Sequence, residues 1–136
     1  MEKIQFDSGL VRYQVNGKGV LRFNPADPNI YARFLQLGEK FRQVESRLLE
    51  LKDPAQQLQQ ADAEIKNLLG WVFGGHNDFD ALLDGVSLLA VAANGKRVLD
   101  NLLEALEPVL AEGVRQYAGE LTRQAQTAAQ NRRSQC

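Results

Sequence analysis

Between Asp27 and Leu51, apolar residues recur at an alternating four-three spacing: Ile30, Phe34, Leu37, Phe41, Val44, Leu48 and Leu51. A heptad rhythm held without a break predicts a long helix carrying a narrow apolar stripe. Glu, Lys, Gln and Arg fill most of the positions between, so the remaining faces stay in water. A stripe of this kind constrains the whole chain, because a second helix has to cover it, from this chain or from another. The sequence supplies one candidate. Asp53-Pro54 ends the first helix near Leu51 and opens a second, since Asp is a good N-cap and Pro suits the first helical position. That second helix runs to about Phe73, with Leu58, Ala61, Ile65, Leu68, Leu69 and Val72 near heptad spacing, and Gly74-Gly75 stops it. Two striped helices with almost no linker predict an antiparallel helical hairpin.

The residues before Asn24 carry a different period. Lys3 to Phe6, Leu10 to Val15 and Val20 to Phe23 alternate polar and apolar, and Asn16-Gly17 lies between the last two runs. Asn-Gly between alternating runs is a strong hairpin signal, which predicts an antiparallel sheet of two or three strands. Two strands alone are marginal in water, so this sheet is expected to lean on the helices or to pair at an edge with another chain. Asp27 and Pro28 then cap and open the first long helix.

Beyond the glycines, Asn77 or Asp78 can cap a short helix through Leu83, closed by Gly85, and Ser87 can cap a further segment from Leu88 to Ala93. From Lys96 onward, Val98, Leu99, Leu102, Leu103, Leu106, Leu110, Val114, Tyr117 and Leu121 form one amphipathic stripe. Pro108 within it is expected to kink or split the helix near Ala105 to Glu107. The expected fold is α+β and mainly α, in one domain over residues 1–122. It comprises a β-hairpin or small antiparallel sheet over 1–25, a long helical hairpin over 27–73 and a C-terminal helical group over 78–122. Residues 123–136, rich in Gln, Ala and Arg, read as a frayed or disordered tail.

Charge and cysteine usage narrow the function classes. With 16 basic and 17 acidic residues, the net charge of −1 gives no global pull toward nucleic acid or an anionic membrane. No apolar run approaches a membrane span, and the polar start MEKIQFDSG is not expected to act as a secretory signal. Cys136 is the lone cysteine, so no disulfide can form within the chain, which fits a reducing cytoplasm.

Candidate chemistry is sparse. His76 is the only histidine, which excludes a two-imidazole metal site within one chain, and its Gly-Gly setting reads as an exposed loop. Asp78, Asp80 and Asp84 lack the calcium-loop pattern, and helix capping accounts better for Asp78. Gly17-Lys18-Gly19 reads as a hairpin turn, because no Gly-Lys-Ser/Thr opens a following helix. Arg123, Arg132 and Arg133 have no interleaved aromatics and read as a solvated basic tail. No catalytic, cofactor-binding or metal-ligating residue is assigned, and the chain is expected to be non-enzymatic. Trp71-Val72-Phe73 is different in kind: three consecutive large apolar residues cannot all point inward from one helix, so at least one faces a loop or a partner. With Tyr31 and Leu35 on the flank of the first stripe, Trp71, Val72 and Phe73 are the candidate partner-binding residues.

The order of a hairpin with Asn-Gly, then Val20-Leu21-Arg22-Phe23-Asn24-Pro25-Ala26-Asp27, then a long charged helix, resembles the small tail assembly chaperones of Gram-positive siphophages and prophages. The segment Ala63 to Gly74, ending in Val72-Phe73-Gly74, is similar to theirs, as is Asp84-Gly85-Val86-Ser87 through Asn94-Gly95 to Leu106. The resemblance spans roughly residues 3 to 110 and rests on order and spacing. Gly74-Gly75-His76-Asn77 departs from it where an acidic or Gly-Thr loop is more usual, as does the Gln-Ala-rich tail. It implies a non-enzymatic protein in the cytoplasm of a bacterial host, with no cofactor, that binds the tape measure protein and tail tube subunits during tail assembly. It also implies self-association and absence from the mature virion. The alternative is a small phage-encoded inhibitor or host-interaction protein that uses the same kind of surface on a host target.

Overall fold

The computed structural model describes residues 1–48, 50 and 53–134; Leu51 of the heptad stripe and Cys136 lie outside them. The fold is α+β and mainly α: β1 (Val11–Val15), β2 (Gly19–Phe23), α1 (Pro28–Leu48), α2 (Pro54–Phe73), α3 (Phe79–Leu82) and α4 (Val98–Ser134). β1 and β2 pair antiparallel, with Val11 opposite Phe23 and Val15 opposite Gly19. Asn16 and Gly17 take φ of 50° and 74°, the left-handed pair that a tight right-twisting hairpin turn needs. Lys3 to Phe6 forms no strand, so the sheet has two strands.

The hairpin is held by the helices. Leu21 and Phe23 are buried, Tyr13 stacks on Phe23 at 5.1 Å, and Phe23 meets Phe73 of α2 edge-on at 4.8 Å. At the exit from β2, the Asp27 carboxylate accepts the Asn29 amide hydrogen at 2.9 Å, which caps α1 as its sequence predicts.

α1 and α2 run antiparallel. Near the start of α1, Arg33 donates to the Val72 carbonyl at 3.4 Å; at its end, Arg47 pairs with Glu64 at 2.6 Å. Ile30, Leu37, Phe41 and Val44 are buried, and so are Ala61, Ile65, Leu69 and Val72 of α2. Phe34 and Leu48 are half-buried against the same core. The first stripe is therefore covered largely from within the chain.

Three local expectations differ from the structure. Leu88 to Ala93 is not helical. Its backbone hydrogen bonds run instead to the chain on the far side of Asn94-Gly95: Ala92 N–H donates to the Lys96 carbonyl at 2.8 Å, and Val98 N–H to the Ala90 carbonyl at 2.8 Å. Gly95, at φ 83°, lets the chain turn back at Asn94-Gly95, so that Val91 and Arg97 form a bridge in place of helical bonds, and the Asp62 carboxylate of α2 anchors the segment by accepting the Leu88 amide hydrogen at 2.8 Å. α4 is also not split at Pro108, because Leu106 and Leu110 are both buried and hold the turns on either side. Finally, residues 123–136 are expected as a frayed or disordered tail, whereas the part described is helical through Ser134, with every side chain described there exposed. Gln, Ala and Arg are good helix formers, and Glu120 and Arg123 pair across one turn.

α4 also crosses the strand-to-helix connection at Gly113. A Cβ at this buried position would collide with the Pro25 carbonyl and come to 3.0 Å from the Ala26 nitrogen. Only glycine lets the two backbones approach this closely.

Candidate functional site

Because the buried row of α1 faces α2, Tyr31, Phe34 and Leu35 occupy an adjacent flank. α4 passes beside that flank, and Leu103, Leu110, Ala111 and Val114 form the opposite wall of a groove of about 710 Å³. Tyr31 is half-buried, whereas Leu35 is 64% exposed despite its size. Lys96, Asp100, Glu104 and Glu107 stand on the rim. Lys96 pairs with Glu104 at 2.8 Å, while Arg97 bridges Asp100 at 3.2 Å and Glu45 at 2.8 Å. The hydrogen bond from Arg97 holds the Asp100 carboxyl below its ordinary range, and the bond to Glu104 raises the Lys96 pKa, so both stay charged at neutral pH. Lys96 offsets Glu104 and Arg97 offsets Asp100, so the excess negative charge of the rim is that of Glu107. An apolar floor with an acidic edge suits a helix that is apolar on one face and basic beside it.

The end of α2 forms a separate feature. Trp71 is 42% exposed, and the Lys40 ammonium lies 4.9 Å from the centre of its ring. Val72 and Phe73, both expected to face a partner, are instead fully buried. At about 100° per residue they share the inward arc with Leu69, and Phe73 packs on Phe23, Phe34 and Phe79. Of the five partner-binding candidates, Tyr31 and Leu35 come together in the groove. Trp71 stands on the α2 side, and the other two belong to the core.

The polar candidates have structural partners. His76 is exposed, with Nε2 2.9 Å from the Arg22 carbonyl oxygen. Asp78 caps α3, accepting from the amides of Asp80 and Ala81; Asp80 pairs with Lys66 at 2.6 Å, and Asp84 with Lys18 at 2.6 Å. Among the described residues, no three His, Cys, Asp or Glu side chains are placed to hold a metal ion, and no helix is long and apolar enough to cross a membrane.

Two features escaped the sequence reading. Asn77 is buried and clamps the hairpin: its Nδ2 donates to the carbonyls of Arg22 at 2.8 Å and Phe73 at 3.1 Å, and its Oδ1 accepts from the Arg22 amide at 2.9 Å. Lys66 is buried beneath Asp62 at 2.8 Å and Asp80. Burial opposes its charge, but the two carboxylates outweigh burial and raise its pKa. Spacing hides both roles: Asn77 sits in a polar loop where it reads as a helix cap, and Lys66 reads as one more charged position of α2.

Compared with known proteins, the chain matches no family model, no curated protein and no solved structure.

Proposed function

We propose that this chain is a non-enzymatic tail assembly chaperone, which binds the helical tape measure protein and tail tube subunits in the cytoplasm of a bacterial host and is left out of the finished virion. The observation that carries this reading is Trp71: a large aromatic kept 42% exposed at the end of a rigid helical hairpin, with Lys40 over its ring. Aromatic side chains held in this way are the usual anchors of protein–protein contacts. The order of elements supports the same reading, because a hairpin turning at Asn16-Gly17 is followed by a long charged helix, the order on which the sequence resemblance rests. A client helix would lay its apolar face against the Trp71 flank, and its aggregation-prone stripe would thereby leave water.

Co-expression with the tape measure protein encoded beside it tests the reading. The expected result is co-purification and a soluble tape measure protein, with both lost in Trp71→Ala while the variant keeps its melting temperature. A wild-type chain that neither co-purifies with the tape measure protein nor keeps it soluble refutes the chaperone reading. Unchanged capture by Trp71→Ala refutes the assignment of Trp71. Capture of a host protein in place of the tape measure protein would favour the inhibitor alternative.

A further inference from the structure

The groove between α1 and α4 has one occupant that the chain itself describes. After Val114, α4 leaves the body of the protein, and every described side chain from Arg115 to Arg133 is exposed. Helical stability in water comes mainly from packing an apolar face, so a projecting helix of this length is marginal unless something covers it. It carries such a face. At about 3.6 residues per turn, Leu103, Leu110, Val114, Tyr117, Leu121 and Ala128 fall on one narrow row, the row that lines the groove at its near end. Tyr117 and Leu121 continue it into solvent, with Leu121 49% exposed.

The charges on this helix are segregated. Residues 100–107 hold three acids (Asp100, Glu104, Glu107) and no base, while residues 122–134 hold three arginines (Arg123, Arg132, Arg133) and no acid. A parallel pair of such helices would set like charges together, whereas an antiparallel pair sets acid against base. One antiparallel register also matches the apolar row. About a midpoint between Arg115 and Gln116, Val114 lies opposite Tyr117 of a second copy, Leu110 opposite Leu121, and Leu103 opposite Ala128. The same register brings Asp100 beside Arg132 of the second copy, and both flank the apolar row, at about 60° and 20° from Leu103 around the helix.

We infer that two copies of this chain pair through α4 in an antiparallel, two-fold arrangement, each laying the outer half of its helix into the α1–α4 groove of the other. The contact is self-complementary and closes at two copies. Leu35 and Tyr31 are covered in it, while the Trp71 flank stays open. Nothing in it depends on the chaperone reading, and the test uses this chain alone.

Sedimentation velocity on the full chain should give a dimer that weakens as salt rises. Leu121→Asp and Leu35→Asp replace side chains that are exposed in the single chain, so each should give a folded monomer. Leu121→Asp should also lose helical circular dichroism as the outer half of α4 loses its cover. Asp100→Arg and Arg132→Asp should each weaken the dimer, and the double variant should restore it, because a homodimer regains both crossed pairs at once. A monomeric wild type overturns the inference. So does an assembly that Leu121→Asp leaves intact, or a charge reversal that the double variant fails to rescue.

Discussion

Replacing a glycine inside a helix by alanine normally stabilises a protein by about 0.5–1 kcal/mol, because the unfolded chain loses freedom and the helix gains a better former. Gly113→Ala should do the reverse. The new methyl group would be forced into the Pro25 carbonyl and crowd the Ala26 nitrogen, and both are backbone atoms. A long side chain could swing away, but this connection cannot. Asn24 holds it by accepting the Ala26 amide hydrogen at 2.9 Å and by donating to the Ser8 carbonyl at 3.0 Å. Overpacking of this kind costs about 1–3 kcal/mol, and a rigid neighbour puts the cost at the upper end. After the propensity gain is subtracted, a net loss of about 2 kcal/mol remains, or a melting temperature lower by roughly 5–10 °C for a domain of this size. Gly38→Ala is the internal control: it lies in α1 with open space around it, so it should raise the melting temperature by a few degrees. Thermal denaturation of the two variants beside the wild type decides the matter. If Gly113→Ala melts at or above the wild-type temperature, the close crossing of α4 over Pro25 is wrong.

Asn77→Asp should cost about 2–4 kcal/mol in chemical denaturation, at least as much as Asn77→Ala, because a carboxylate would then face the carbonyls of Arg22 and Phe73. That loss should shrink in acid, where a protonated carboxyl can again donate. Asp62→Ala should cost about 2–3 kcal/mol, since it orphans the buried Leu88 amide and strips Lys66 of one of its two carboxylates. Lys66 has a folded pKa above its ordinary 10.5, so its contribution to stability is complete below that value and is lost as pH rises through the raised one. Denaturant midpoints from neutral to strongly alkaline pH should fall more for wild type than for Lys66→Met; equal slopes would refute the triad. Phe41→Asp should unfold the domain, since Phe41 is buried in the α1 stripe, and an unchanged melting temperature would contradict that packing.

Much of the fold was legible because its signals are local. The left-handed turn at Asn16-Gly17 and the Asp27 cap each depend on residues a few positions apart. The heptad stripe of α1 likewise needs only its own period, and it named its covering helix because Asp53-Pro54 leaves almost no linker. Trp71, Val72 and Phe73 mark the limit. Periodicity says that all three cannot be buried, but the ring cluster of Phe23, Phe34 and Phe79 decides which two are. Leu88 to Ala93 shows the same limit from the backbone side: its helix-compatible residues instead pair across the Asn94-Gly95 turn with Lys96 to Val98, and Asp62, 26 positions away in sequence, anchors the Leu88 amide. The groove was half visible. Tyr31 and Leu35 could be read from the flank of one helix, but a groove needs a second wall. Only the path of α4, with glycine at its crossing over Pro25, brings Leu103, Leu110 and Val114 opposite them. The sequence alone determined the hairpin, the two long helices that follow it and which stripe had to be covered, since these follow from spacing along one chain. Tertiary structure alone decided what was left uncovered, because exposure depends on where every other segment has gone.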